Sequence, residues 1–152
     1  MAAHRIPYAA TATVGYPLDL VEKVRRARAV RGTRFLHILS PCPPGWKYPH
    51  EATIELSRMA VRCRIFPRVE VEYGQRWRLS FDPAPPEPVG PYLRKPGRFR
   101  HLAGPDVAYI QREVDARWDM IVRLERESNG ALADWEPAAA NGVGGESLGL
   151  QV

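Results

Sequence analysis

The chain has 152 residues, enough for one domain and one core and too few for a large multi-domain enzyme. Hydrophobic residues make up 45% and charged residues 26%, ordinary globular values that leave neither wholesale disorder nor a membrane span as the default. Net charge is +5, yet residues 1–126 hold all 22 basic side chains against 13 of the 17 acidic ones, a surplus of nine that suits an acidic partner without choosing its chemical class.

Residues 6–13, Ile-Pro-Tyr-Ala-Ala-Thr-Ala-Thr, read as a short strand, and Gly15-Tyr16-Pro17 is turn chemistry in front of a helix. That helix should run from about Leu18 to Val30, with Leu20, Val21, Val24, Ala27 and Val30 as its apolar stripe. Asp19 and Glu22 in the first turn and Arg25, Arg26 and Arg28 near the end match the helix dipole. The basic run is therefore read as a solvated face, with a docking patch for an acidic partner as the alternative. Gly32 ends the helix. Phe35-Leu36-His37-Ile38-Leu39 follows as a continuous apolar run, the pattern of a strand buried on both faces of a parallel sheet, so the class is α/β. His37, inside that strand, is expected as a satisfied core histidine.

Ser40-Pro41-Cys42-Pro43-Pro44-Gly45-Trp46 comes next, too rich in proline for helix or ladder and placed where open α/β sheets put their sites. Prolines on both sides of Cys42 hold its thiol in one direction at little entropic cost. A second helix should span about Pro49 to Cys63, with Ala52, Leu56, Met59, Ala60 and Cys63 on one stripe and Cys63 a small core residue.

Val69, Val71 and Tyr73 alternate with Glu70 and Glu72; beyond Gly74-Gln75-Arg76, Trp77, Leu79 and Phe81 alternate with Arg78 and Ser80. An antiparallel hairpin appended to the core is expected, with Tyr73 opposite Trp77, Val71 opposite Leu79 and Glu72 opposite Arg78. Six of the sixteen residues from Asp82 to Gly97 are proline, which predicts an extended arm over 82–104. Arg98-Phe99-Arg100-His101 closes it as an anchor on the body, or else as a contact to another subunit or an anion. Pro105 and Asp106 start a last helix to about Glu127, buried along Val107, Ile110, Val114, Trp118 and Ile121. The composition of residues 128–152 predicts a disordered tail.

No run approaches the roughly 18 apolar residues of a spanning helix, and no signal-peptide order is present, so the cytoplasm is the expected compartment and no membrane partner is expected. Cys42 and Cys63 cannot complete a four-thiolate zinc or iron–sulfur site by themselves, and His4, His37, His50 and His101 lack metal-ligand spacing. There is no Gly-rich phosphate loop, no Gly-x-Ser-x-Gly elbow and no histidine placed to activate Ser40 or Cys42, which leaves the chain catalytically incomplete alone. Nucleic-acid binding, which the arginines from Arg25 to Arg34 would suit, lacks aromatic interleaving and any known motif and is not expected.

The stretch from Ile6 to Pro17 and the block His37-Ile38-Leu39-Ser40-Pro41-Cys42-Pro43-Pro44-Gly45-Trp46, followed by Gly97-Arg98-Phe99, resemble the C-terminal half of the β subunit of pyruvate:ferredoxin oxidoreductases, also called pyruvate synthases. The resemblance covers roughly residues 4–124. It implies half of a thiamine-diphosphate-binding, Rossmann-like parallel-sheet domain over residues 1–81. It also implies a part in oxidative decarboxylation of a 2-oxoacid, pyruvate first, to an acyl-CoA with electrons passed to ferredoxin. Carried over by position, Cys42 matches the fourth thiolate of a 4Fe–4S cluster. The other three cysteines, and the Gly-Asp-Gly to Asn segment that holds magnesium and the diphosphate, belong to an N-terminal half that this chain lacks. No cofactor-binding residue is thus assignable here, and neither thiamine diphosphate nor Mg2+ nor the cluster is expected to bind this chain alone. The implied partners are the other subunits, a chain supplying the N-terminal half, and ferredoxin. A truncated, split or misassigned reading frame is expected, with an unusually apolar surface toward the missing half. The alternative function is a catalytically inactive module that only docks on a partner subunit.

Overall fold

A computed structural model of the chain describes residues 1–131. Four strands, β1 (Tyr8–Thr13), β2 (Arg34–Leu39), β3 (Val69–Glu72) and β4 (Arg76–Leu79), form one mixed sheet in the order β2-β1-β3-β4. The helices are α1 (Pro17–Ala29), α2 (Pro43–Trp46), α3 (Thr53–Arg62), α4 (Val89–Arg94) and α5 (Gly104–Ala131). Among the described residues no helix is long and apolar enough to cross a membrane.

The β1–α1–β2 unit is a parallel crossover in which Tyr8 pairs with Arg34 and Thr13 with Leu39. Tyr8, Ala10 and Ala27 are buried together, with Leu36 and Val30 packed against them, so α1 covers the even-numbered face of β1. Only Ala27 of the expected α1 stripe is fully buried. Lys23 is instead 1% exposed, and Val21 and Val24 face outward. The lysine is drawn in by the Thr11 carbonyl at 2.8 Å and by Asp19 at 3.0 Å, one helical turn away. A buried amine satisfied in this way displaces the apolar stripe from the interface.

β2 departs from expectation more strongly. Its residues are exposed or half-buried throughout, because β2 is an edge strand with nothing lying beyond it among the described residues. Phe35 is 40% and Ile38 43% exposed, and His37, expected in the core, is exposed with its ring edge against Phe66.

The hairpin is not appended to the sheet but built into it: β3 pairs antiparallel with β1, Ala9 opposite Val71. Thr11 ties the junction, its hydroxyl donating to the Pro67 carbonyl at 2.6 Å and accepting the Val69 N–H at 2.8 Å. The observed register, Val69 opposite Leu79, Glu70 opposite Arg78 and Val71 opposite Trp77, is two residues from the expected one. Tyr73 (φ 51°) and Gly74 (φ 70°) form a type I′-like turn closed by the Gln75 N–H on the Glu72 carbonyl, which sets the turn one residue earlier. Any side chain at Gly74 would also collide with the Ala2 carbonyl. A slip of two keeps every side chain on its face, so alternation alone could not detect it.

The proline-rich arm is folded. Pro88 caps α4, and Val89, Tyr92 and Leu93 are buried in the main core with Leu56, Met59, Ala60, Cys63, Phe66 and Val114. Prolines at or before the first turn are compatible with helix, and the apolar side chains between them supply the burial that an isolated arm would lack. In place of one core there are two, this helical one and the smaller cluster under α1. α5 is buried at Val114, Trp118 and Ile121 as its periodicity predicts, and extends past Glu127 to Ala131. The tail expected from 128 therefore lies, from residue 132 onward, outside the described residues.

Candidate functional site

The segment after β2 is not free of helix as its prolines suggested. Pro43 and Pro44 occupy the first positions of α2, where a missing N–H costs nothing, and Cys42 is its N-cap in extended conformation. The Cys42 carbonyl accepts the Trp46 N–H at 2.9 Å, and Lys47, left-handed at φ 57°, ends the turn. Upstream, the Leu39 carbonyl takes the buried Thr13 hydroxyl at 2.9 Å, so the strand end that delivers Cys42 is tied to β1.

Cys42 is exposed, and Gly45 stands beside its thiol: a Cβ there would lie 3.4 Å from Sγ. The flank of the sulfur is thus open by one methyl group. A second segment clamps the turn. The Gly97 N–H donates to the Lys47 carbonyl at 2.9 Å, and a Cβ on Gly97 would come 3.0 Å from that oxygen and from Lys47 Cβ, so the approach requires glycine. From there the Arg98 guanidinium lies 4.9 Å from the ring centres of both Trp46 and Phe99, a cation–π stack that anchors Gly97-Arg98-Phe99 on the body. Trp46 and Phe99 in turn pack against the main core. Lys47, Arg98 and Arg100 are exposed around this turn pair and make the surface cationic.

What this arrangement can do is limited by its ligand count. Among the described residues no three His, Cys, Asp or Glu side chains come together to hold a metal. The donor set fits one thiolate contributed to a centre whose other ligands come from elsewhere. Cys63 does not assist: it is 2% exposed, its S–H points to the Ala60 carbonyl at 3.7 Å, and burial pushes its thiol up to about 11.

Two charged clusters escaped the sequence reading. On β3, Glu70 receives the Tyr8 hydroxyl at 2.8 Å, Arg26 at 2.9 and 3.0 Å, and Arg78 at 2.6 Å. A cleft of about 370 Å³ opens beside it, lined by Arg26, Glu72, Arg76, Trp77 and Asn129. Burial and the adjoining carboxylate raise the Tyr8 phenol well above its ordinary range. With three donors on it Glu70 has no role as a free base; it joins α1, β1 and the hairpin. In the second cluster, Asp19 pairs with Lys23 and lies 3.6 Å from Arg68, whose guanidinium stacks 4.0 Å from the centre of Tyr16. Desolvation lowers the Lys23 pKa below that of a free lysine. The i, i+4 spacing of Asp19 and Lys23 was the available signal for this cluster. Glu70 became visible only with the register, which sets it across from Arg78.

No family model matches the chain. It is similar to the pyruvate synthase subunit PorB of Methanocaldococcus jannaschii, 44% identical over 121 residues, or 80% of this chain and 40% of that protein. The ketoisovalerate oxidoreductase subunit VorB of Pyrococcus abyssi is 38% identical over 125 residues, with the same two coverages. The pyruvate synthase subunit PorB of Methanothermobacter marburgensis is 42% identical over 116 residues, 76% of this chain and 40% of that protein. The chain spans about two fifths of the length of the curated relatives it matches.

Proposed function

We propose, from the chain's similarity to the pyruvate synthase and ketoisovalerate oxidoreductase B subunits, that it forms the C-terminal portion of the β subunit of a 2-oxoacid:ferredoxin oxidoreductase, with pyruvate as the 2-oxoacid. In the assembled enzyme a 2-oxoacid and coenzyme A give the acyl-CoA, carbon dioxide, one proton and two electrons, the electrons leaving to ferredoxin. Thiamine diphosphate and Mg2+ would be held by residues outside this chain.

The observation that carries the reading is the Cys42 thiol, exposed, flanked by Gly45 and fixed on a turn clamped by Gly97, with no group of three His, Cys, Asp or Glu side chains able to hold a metal among the described residues. Cys42 Sγ is assigned as one thiolate ligand of a 4Fe–4S cluster whose other three ligands lie on a complementing segment. When bound, such a cluster carries single electrons toward ferredoxin. The turn limits the directions the sulfur can take, and Lys47, Arg98 and Arg100 oppose the negative charge that thiolate ligation brings.

The test is anaerobic purification of the chain with its co-purifying subunits, followed by iron and acid-labile sulfide analysis of wild type and Cys42→Ser. Cluster content and electron transfer to ferredoxin are expected to fall in the variant while the chain stays in the complex. Unchanged iron and unchanged rate reject the ligand assignment.

A further inference from the structure

Gly45 stands where the fold has no need of glycine. It lies inside α2 without a positive φ, and the left-handed residue that ends the turn is Lys47, two positions on, at φ 57°. A Cβ placed on Gly45 would meet Cys42 alone, 3.4 Å from Sγ and 3.8 Å from Cβ; beyond its chain neighbours and the backbone of its own turn, no other atom comes within 4 Å. Gly74 and Gly97 are different, since a Cβ at either runs into a backbone carbonyl, that of Ala2 or that of Lys47. Glycine in a helical turn costs stability relative to alanine, because it loses more backbone freedom on folding. Alanine at position 45 would therefore suit α2 better, and what it would change is the flank of one sulfur.

The geometry points to Gly45 as the residue that admits a 4Fe–4S cluster to Cys42: its missing side chain keeps open the flank of Sγ on which the cluster is accommodated. The inference rests on the reading of Cys42 given above and names the position that governs access to it. The backbone around the sulfur is fixed. Cys42 is held extended between Pro41 and Pro43, its carbonyl accepts the Trp46 N–H at 2.9 Å, and Trp46 packs against the main core. Rotation about χ1 is the adjustment left to the thiol, and a methyl group at position 45 takes away part of that range. A free thiol tolerates a carbon at 3.4 Å, an ordinary contact distance. A thiolate bonded to one iron of a four-iron cluster has the other irons and sulfides close behind that bond, and these need the space a methyl group would fill.

The full chain would be purified without oxygen, alone and with its co-purifying subunits, as wild type, Gly45→Ala and Gly104→Ala. In the free chain Gly45→Ala is expected to leave the folding equilibrium constant unchanged or to raise it by roughly two- to fivefold, with the Trp46 amide as protected from hydrogen exchange as in wild type. In the complex the same change should lower iron and acid-labile sulfide and speed the release of iron to a chelator by about tenfold to a hundredfold. Gly104→Ala, at a position with open space around it, should match wild type. A readout that needs no iron checks the geometry: Gly45→Ala should slow labelling of Cys42 by a bulky maleimide more than by iodoacetamide. A Gly45→Ala chain that unfolds or loses Trp46 protection makes Gly45 a structural glycine and overturns the inference. Full iron with unchanged release, or labelling that the variant leaves the same for both reagents, overturns it too. The two conclusions fail differently: an iron-free wild-type complex, or a Cys42→Ser complex that keeps its iron, removes the Cys42 reading and this inference with it. Iron lost in Cys42→Ser and kept in Gly45→Ala removes this inference alone.

Discussion

Glu70→Ala tests whether the charged cluster on β3 holds α1 and the hairpin to the sheet. The Tyr8 side chain is 1% exposed and its hydroxyl donates to this carboxylate, so truncation leaves a buried donor unpaired, at about 1–3 kcal/mol. The two ion pairs contribute less. Glu70 is 7% exposed, but Arg26 and Arg78 are 39% and 51% exposed and regain water once released, which leaves roughly 0.5–1 kcal/mol for each. The total comes to about 3 kcal/mol. Glu70→Gln keeps an acceptor for Tyr8 and loses only the charge, so about 1–2 kcal/mol is expected. Urea denaturation of the full chain, followed by circular dichroism, would read both variants. A double-mutant cycle with Tyr8→Phe isolates the phenol: once that hydroxyl is gone, Glu70→Ala should cost about 1 kcal/mol less. If Glu70→Ala costs under about 1 kcal/mol, or if its cost is the same with and without the Tyr8→Phe change, the cluster does not organise the sheet.

Leu56→Ala, at a fully buried position of the helical core against which Trp46 and Phe99 pack, should cost about 3–4 kcal/mol, read from the urea midpoint. A thiol reagent at neutral pH should label Cys42 in the folded chain and Cys63 only on unfolding, by mass spectrometry of the labelled peptides. Because burial raises the Cys63 thiol from 9.0 to about 11, the unfolded chain releases its proton first as pH rises, and stability should fall between about pH 9 and 11. Tyr92, pushed up to about 12 by burial, adds a loss of the same sign toward higher pH, so Cys63→Ala should reduce the slope of stability against pH without abolishing it.

The local periodicities determined much of this protein. A 3.6-residue repeat in Leu56, Met59, Ala60 and Cys63, and another in Val114, Trp118 and Ile121, located α3 and α5 with their buried faces, because along one helix the spacing of apolar side chains is the face itself. That Cys42 sits on a constrained backbone was also legible, since proline restricts backbone wherever it stands and Pro41 and Pro43 flank it. Which surfaces those faces meet was decided by tertiary structure. The β2 run is as apolar as a buried strand, yet it is an edge strand, since burial depends on what lies beside a strand and not on its own composition. The proline arm folds because Val89, Tyr92 and Leu93 find a core formed by α3 and α5, distant in sequence. Lys23 is buried because Asp19 and the Thr11 carbonyl together meet a cation that its helical position alone would leave in water. The Glu70 cluster depends on a hairpin register that alternation cannot distinguish from its two-residue slip, so only the turn at Tyr73 and Gly74 brought Arg78 across from it. Periodicity reports which side of an element avoids water, whereas the neighbour that removes the water is a property of the assembled fold.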